Sequence, residues 1–215
     1  PIFRTNADAT EGILLALNCE TDFVARNQEL TKLGEKIANA AHEQKPDSIE
    51  KLLELSVDGR KINEFLTELI GKIGEKVYIS AYEKLKGQKV IGYVHSNMKL
   101  GVLVALKGVD GTDITEVGKD IALQIASMNP IGIDKDDVDP KTIEKEIEIG
   151  KEQAKAEGKP DDLLEKIAQG KLNKFYKENT LLNQQFVKDS SKTVAQLLDS
   201  VQKGLTVAAF KRVQI

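Results

Sequence analysis

The sequence predicts an α+β fold with two related core subdomains, each built from an antiparallel sheet and packed helices, and a projecting antiparallel helical hairpin. Three observations support this prediction. Short apolar runs alternate with longer segments of helical periodicity, one strand-then-helix unit occurs twice, and a strongly charged segment begins near residue 140. A chain of 215 residues with 40% hydrophobic content is large and apolar enough to form the hydrophobic cores of two such subdomains.

The first unit follows a polar start that resembles a strand and a turn. Residues 12–17 form an apolar run of strand length. Residues 28–41 show helical periodicity and predict a long helix. A short helix is expected near residue 49, and residues 61–73 predict another helix. Residues 76–83 then alternate with a period of two, which is typical of a half-buried strand.

The second unit repeats this plan. Residues 90–95 predict a strand that returns from a turn at Gly87, and residues 101–106 predict a further strand. A helix is expected over residues 113–128, ended by Pro130, with a buried face that includes Met128. A last strand is expected from residue 206.

The two units match in sequence. Residues 12–17 correspond to 101–106 at an offset of 89, and residues 33–38 correspond to 117–122 at an offset of 84. The first copy is therefore longer, and its extra length lies between strand and helix. Because a shared fold needs only the shared part, the additional stretch is the better candidate for a function.

The charged segment predicts two helices, over residues 141–157 and 161–179, separated by Gly158 and Pro160. Their few apolar positions are expected to pack one arm against the other; these are Ile143, Ile147 and Ala154 in the first arm, and Leu164, Ile167, Leu172 and Phe175 in the second. We accordingly divide the chain into a first core subdomain (1–83), a second (84–139), a coiled-coil hairpin (140–182) and a return segment that completes the second subdomain (183–215).

Composition excludes several functional classes. The net charge of −3 and the aromatic content of 5% argue against direct nucleic-acid binding, which needs basic surfaces or stacking platforms. We also found no apolar run long enough to cross a bilayer and no leader segment, so we expect no membrane association. One cysteine excludes an internal disulfide and suits the cytoplasm.

The sequence contains no recognisable catalytic or metal-binding pattern. One cysteine and two histidines cannot form a zinc site, and the acidic residues between 134 and 139 lack the glycine and the final glutamate of a calcium loop. Cys19 has no histidine nearby, which favours a buried thiol over a nucleophile. We therefore expect no catalytic residue, metal or cofactor, and a protein that is not an enzyme.

The additional stretch in the first copy reads Asn-Cys-Glu-Thr-Asp-Phe-Val-Ala-Arg-Asn at residues 18–27. Thr21 is a suitable helix N-cap, and Asp22 in the first turn suits the helix dipole. Phe23 and Val24 allow two interpretations. Both side chains pack inward, or Phe23 points outward with Asp22 to contact a partner.

This motif closely resembles that of translation elongation factor Ts, the guanine-nucleotide exchange factor of elongation factor Tu. Further segments fit the family in order, over nearly the whole chain: residues 72–76, 101–106, 121–130, 186–189 and 192–198. Two residues depart from the family pattern. Gln185 replaces a usual proline, and Gln124 replaces a histidine that contacts the partner in some members. The resemblance also implies that an amino-terminal helical module of the family is lacking here.

The resemblance implies that the partner is elongation factor Tu, in its GDP-bound and nucleotide-free states, and that GDP release is promoted by disturbing the partner's Mg²⁺ and phosphate site. It assigns partner binding to one set of residues: Thr21, Asp22, Phe23, Val24, Ile73, Gly74 and Gln124. Homodimer formation stays open. The alternative is a non-catalytic binding or scaffold protein of the translation machinery.

Overall fold

The computed structural model describes the backbone of residues 1–215 and the side chains of all of them except Phe23. The sequence-based interpretations that depend on the direction of the Phe23 side chain therefore lie outside the described residues. Helices and short antiparallel strands alternate along the chain, so the α+β class is confirmed.

Along the described backbone the strands are β1 (Ile2–Thr5), β2 (Glu11–Cys19), β3 (Ser56–Val57), β4 (Arg60–Lys61), β5 (Val77–Lys86), β6 (Lys89–Val94), β7 (Leu100–Lys107), β8 (Gln185–Phe186), β9 (Asp189–Thr193) and β10 (Thr206–Gln214). The α-helices are α1 (Asp22–Ala25), α2 (Gln28–Gln44), α3 (Ile49–Leu53), α4 (Ile62–Ile73), α5 (Thr115–Met128), α6 (Pro140–Ala156), α7 (Leu164–Asn179) and α8 (Val194–Val201). Short 3-10 turns occupy Lys135–Asp137, Asp161–Leu163 and Leu181–Asn183.

The chain forms two compact units. One contains Pro1–Ala126 together with Val207–Ile215, and the other contains Ser127–Thr206. The finer division into four parts stays a prediction.

The duplicated strands are the central strands of the first unit's two three-stranded sheets. One sheet has the order β1-β2-β5 and the other β10-β7-β6. The repeated runs at residues 12–17 and 101–106 lie in β2 and β7. A central strand covered on both faces must be apolar at every position, which explains why these runs are continuous rather than alternating.

Strand β2 shows this double burial residue by residue. Ile13 and Leu15 pack against the helices α2, α3 and α4. Leu14 and Ala16, which point to the opposite face, pack with Leu103 and other residues of the second sheet. The first sheet therefore lies between a helical layer and the second sheet.

The glycine shared by the two repeated helices marks a close contact in each copy. A Cβ atom at Gly34 in α2 would lie 2.9 Å from Cδ1 of Ile2, and one at Gly118 in α5 would overlap Cδ1 of Ile91. In each copy a side chain at this position would have to displace the end of an isoleucine side chain from the helix's own sheet. This contact gives a physical reason for the repeated Gly.

Two details of α5 differ from the sequence prediction. The helix begins at Thr115 rather than at residue 113, because the carboxylate of Asp113 accepts the Thr115 backbone N–H at 3.0 Å from outside the helix. Met128 is exposed, not buried as expected. It is the last helical residue, and Asn129 leaves the helix with a left-handed φ of 45°.

The second unit contains the predicted helical hairpin, in which α6 and α7 pack together. Gly158 turns the chain between them with φ of 78°. The seam is lined by small residues as well as by the predicted ones: Gly150, Ala154, Ala168 and Leu172 are all buried. Gly150 faces Ala168, because a Cβ atom at Gly150 would lie 3.1 Å from the Cα of Ala168. None of the described helices has both the length and the apolar composition needed to cross a membrane.

Candidate partner-binding site

The first copy's additional stretch forms a short loop, residues 20–27, which we call the motif loop. It follows β2, contains the single helical turn α1, and ends where Asn27 caps α2. The Asn27 side chain accepts the backbone N–H groups of Glu29 and Leu30 at 2.8 and 3.4 Å. Both ends of the loop are therefore fixed by elements of the first unit.

Thr21 connects the motif loop to the end of α4. Its backbone N–H donates to Oε1 of Glu75 at 2.6 Å, and its hydroxyl donates to Oε2 of the same carboxylate at 3.1 Å. The Thr21 hydroxyl oxygen also accepts the backbone N–H of Val24 at 3.3 Å. Thr21 is thus the N-cap of α1, as the sequence predicts.

Asp22 presents its carboxylate to solvent at the first position of α1. Its side chain is 79% exposed, and Oδ1 lies 3.2 Å from Nζ of Lys99, in the turn between β6 and β7. An ion pair this exposed contributes little to stability. Its position nevertheless shows that the second sheet's turn reaches the motif loop.

Val24 is buried, with 8% of its surface exposed, and packs in the core beside Leu30 of α2. The inward interpretation therefore holds for Val24. Phe23 cannot be assigned in the same way, because its side chain lies outside the described residues.

Ile73 and Gly74 end α4 near the motif loop. Ile73 is half-buried against the core, and Gly74 is exposed in a left-handed conformation with φ of 77°. This turn leads directly into Glu75, whose carboxylate holds Thr21. The hydrogen bonds between Glu75 and Thr21 thus join the end of α4 to the motif loop. The assignment of Thr21, Asp22, Ile73 and Gly74 to a partner surface stays a prediction.

Gln124 is buried, unlike the exposed residues Asp22 and Gly74. It is part of α5, and its side chain is completely buried in the first unit. A direct contact with a partner would require Gln124 to leave this position, so its assignment to the partner surface stays a prediction.

Cys19 is half-buried rather than fully buried as expected, and its thiol donates to the backbone oxygen of Thr21 at 3.3 Å. Burial, followed by the negative charges of Glu75 and Asp22, raises the pKa of the Cys19 thiol. A neutral thiol is a weak nucleophile and a poor metal ligand. Among the described side chains, no group of three or more His, Cys, Asp or Glu residues is arranged to hold a metal ion.

Comparison with known proteins identifies the family. The family model described as "Elongation factor TS" matches residues 20–215, which include the motif loop. The chain belongs to the elongation factor Ts family. An elongation factor Ts of Cytophaga hutchinsonii is 55% identical over 98% of this chain and 76% of its own length, and one of Amoebophilus asiaticus is 52% identical over the same shares. A third, from Christiangramia forsetii, is 42% identical over the whole chain and 77% of its own length.

Membership of the elongation factor Ts family makes this chain a translation elongation factor. Sequence reasoning missed two residues that the structure places at the motif loop, Glu75 and Lys99. Glu75 lies in residues 72–76, a segment that matches the family, and directly follows Gly74. Its position in that segment was the only sequence signal that could have identified it. Nothing in the sequence pointed to Lys99.

Proposed function

We propose that this chain is the guanine-nucleotide exchange factor that promotes GDP release from elongation factor Tu by disturbing its Mg²⁺ and phosphate site. The observation that supports this proposal is the exposed carboxylate of Asp22 at the first position of α1, in a chain that belongs to the elongation factor Ts family. The contact of Phe23 with the partner is part of the same proposal.

The physical basis is the strict geometry of bound Mg²⁺. The ion needs nearly octahedral oxygen ligands at short distances, so a small displacement of the elements that supply them weakens nucleotide binding. A carboxylate such as Asp22, brought close to that site, also adds negative charge near the nucleotide phosphates. Exchange changes no covalent bond, and the chain therefore requires no catalytic residue or cofactor of its own.

Reciprocal coupling gives the proposal a thermodynamic consequence. If the factor weakens GDP binding to elongation factor Tu, GDP must weaken factor binding by the same ratio. We therefore expect co-elution of the two proteins without nucleotide and loss of co-elution in excess GDP.

The cytoplasmic location predicted from the sequence belongs to this proposal.

The direct test is release of a fluorescent GDP analogue from purified elongation factor Tu. The wild-type chain should accelerate release, and Asp22→Asn and Phe23→Ala should slow it while thermal unfolding stays near that of the wild type. Glu83→Gln is a matched control, because Glu83 also forms an exposed ion pair, at 3.6 Å with Lys211 on β10. Binding without accelerated release would instead favour the scaffold function.

A further inference from the structure

The helical turn α1 is too short to be stable alone. It has four residues, and an isolated helix of this length does not persist in water because nucleation is unfavourable. Contacts with the rest of the chain must therefore hold it in place. Val24 provides an apolar anchor, and Thr21 provides the N-cap.

An N-cap threonine can form a reciprocal arrangement called a capping box. Its side chain accepts the N–H of the third helical residue, and a glutamate or glutamine at that third position accepts the N–H of the cap. In α1 the first half of the box is present, from Thr21 to Val24. The second half cannot come from position 24, because valine has no acceptor.

Glu75 supplies the missing half from 54 residues away in sequence. Its carboxylate accepts the N–H of Thr21 at 2.6 Å and also its hydroxyl hydrogen at 3.1 Å. The second contact directs the hydroxyl hydrogen towards Glu75, which leaves the oxygen free to accept the N–H of Val24. Hydrogen bonds to a carboxylate are the stronger kind, roughly twice as strong as neutral ones.

We propose that Glu75 is a positioning residue for nucleotide exchange, because it completes a capping box split between two segments and so holds α1 in the form that meets the partner. This inference rests on the proposed exchange function. Glu75 itself need not touch the partner. Its side chain acts through Thr21, and the left-handed turn at Gly74 places it there.

The expected effect is a lower population of the binding-competent loop. Apparent affinity falls in proportion to the fraction of molecules whose loop is competent. Loss of a helix cap typically changes an equilibrium constant by about fivefold. Glu75→Ala should therefore raise the half-saturating concentration of the factor by up to about fivefold and leave the release rate at saturation nearly unchanged.

A graded series sharpens the test. Glu75→Gln retains an oxygen for the Thr21 N–H but loses the charge, so its effect should lie between wild type and Glu75→Ala. Thr21→Val removes the hydroxyl and breaks the same box from the other side. Adding Glu75→Ala to Thr21→Val should then cost clearly less than it does in the wild type, because the two residues act as one unit. Glu83→Gln should match the wild type.

The measurements are stopped-flow release of a fluorescent GDP analogue from elongation factor Tu, and amide hydrogen exchange of Thr21 and Val24 in the free factor. Glu75→Ala should accelerate exchange of both amides while far-UV circular dichroism and the melting temperature stay near wild type. The proposal is overturned if Glu75→Ala releases GDP like an active wild type, if both amides keep wild-type protection, or if the variant unfolds. An inactive wild type would instead refute the exchange function, and the amide measurement would still report on the capping box.

Discussion

Truncation of Val24 to alanine separates two roles that the resemblance and the structure give this residue. The resemblance places Val24 on the partner surface, and the structure places it in the core with 8% exposure. The substitution removes two methyl groups, worth about 0.8 kcal/mol each in transfer free energy, and leaves a small cavity. We expect a loss of roughly 1.5–2.5 kcal/mol in the free energy of unfolding.

This loss should be visible as a shift of the unfolding transition. For a chain of this size, 1 kcal/mol lowers the melting temperature by about 2–4 °C, so Val24→Ala should melt roughly 3–10 °C below the wild type. Urea unfolding followed by far-UV circular dichroism provides an independent measurement. Val201→Ala, at a position that is 38% exposed in α8, is the control and should stay within about 0.5 kcal/mol of wild type.

The decisive comparison is between stability and exchange. If Val24 anchors α1 from inside, Val24→Ala must lower the midpoint of unfolding, and any slower GDP release follows from a loosened loop. If Val24→Ala unfolds at the wild-type midpoint and yet releases GDP slowly, the side chain meets the partner and the core assignment is refuted.

Three further outcomes follow from the packing. Gly118→Ala should lower the free energy of unfolding by about 1–2 kcal/mol, because the new methyl group overlaps Ile91. Gly34→Ala should be near neutral, because the higher helix propensity of alanine offsets a milder contact. Urea unfolding of both variants measures these two changes. Burial raises the pKa of Tyr82 to about 12, above the unfolded value near 10, so the folded state holds the proton more tightly and stability should fall from about pH 10 to pH 12. Tyr82→Phe should remove that part of the pH dependence. Gly150→Val should cause the helical circular dichroism signal of the hairpin to be lost at a lower temperature than in the wild type. The reason is that even a Cβ atom at this position would lie 3.1 Å from the Cα of Ala168.

Strands β2 and β7 could be predicted from the sequence because of the same physical fact that makes them central. A strand that is buried on both faces consists of apolar residues, so the run from Gly12 to Leu17 can be recognised as a central strand from the sequence alone. The repeat then identifies β7 without further information. The repeated glycine can also be seen in the sequence, but only the close approach of Ile91 to Gly118 in the structure explains why glycine is needed there.

The hairpin seam was predicted only in part, because small residues carry a weak apolar signal. Periodicity identified Ala154 and Leu172, which are buried, but not Gly150 and Ala168, which allow the two helices to approach. From the sequence alone, a glycine within a helical pattern only indicates a less stable helix, because the residue that packs against it is not known. Only the facing helix shows that Gly150 is a contact.

The split capping box shows most clearly why the site could not be read from its own motif. Position 24 would have to be glutamate for a local box, and it would have to be apolar for α1 to be anchored in the core. These two demands cannot be met by one side chain, since a carboxylate at this buried position would lose its hydration. Val24→Glu should therefore destabilise the first unit even though it restores the local pattern. The acceptor must come from another segment, and Glu75 is close to Thr21 in space but not in sequence.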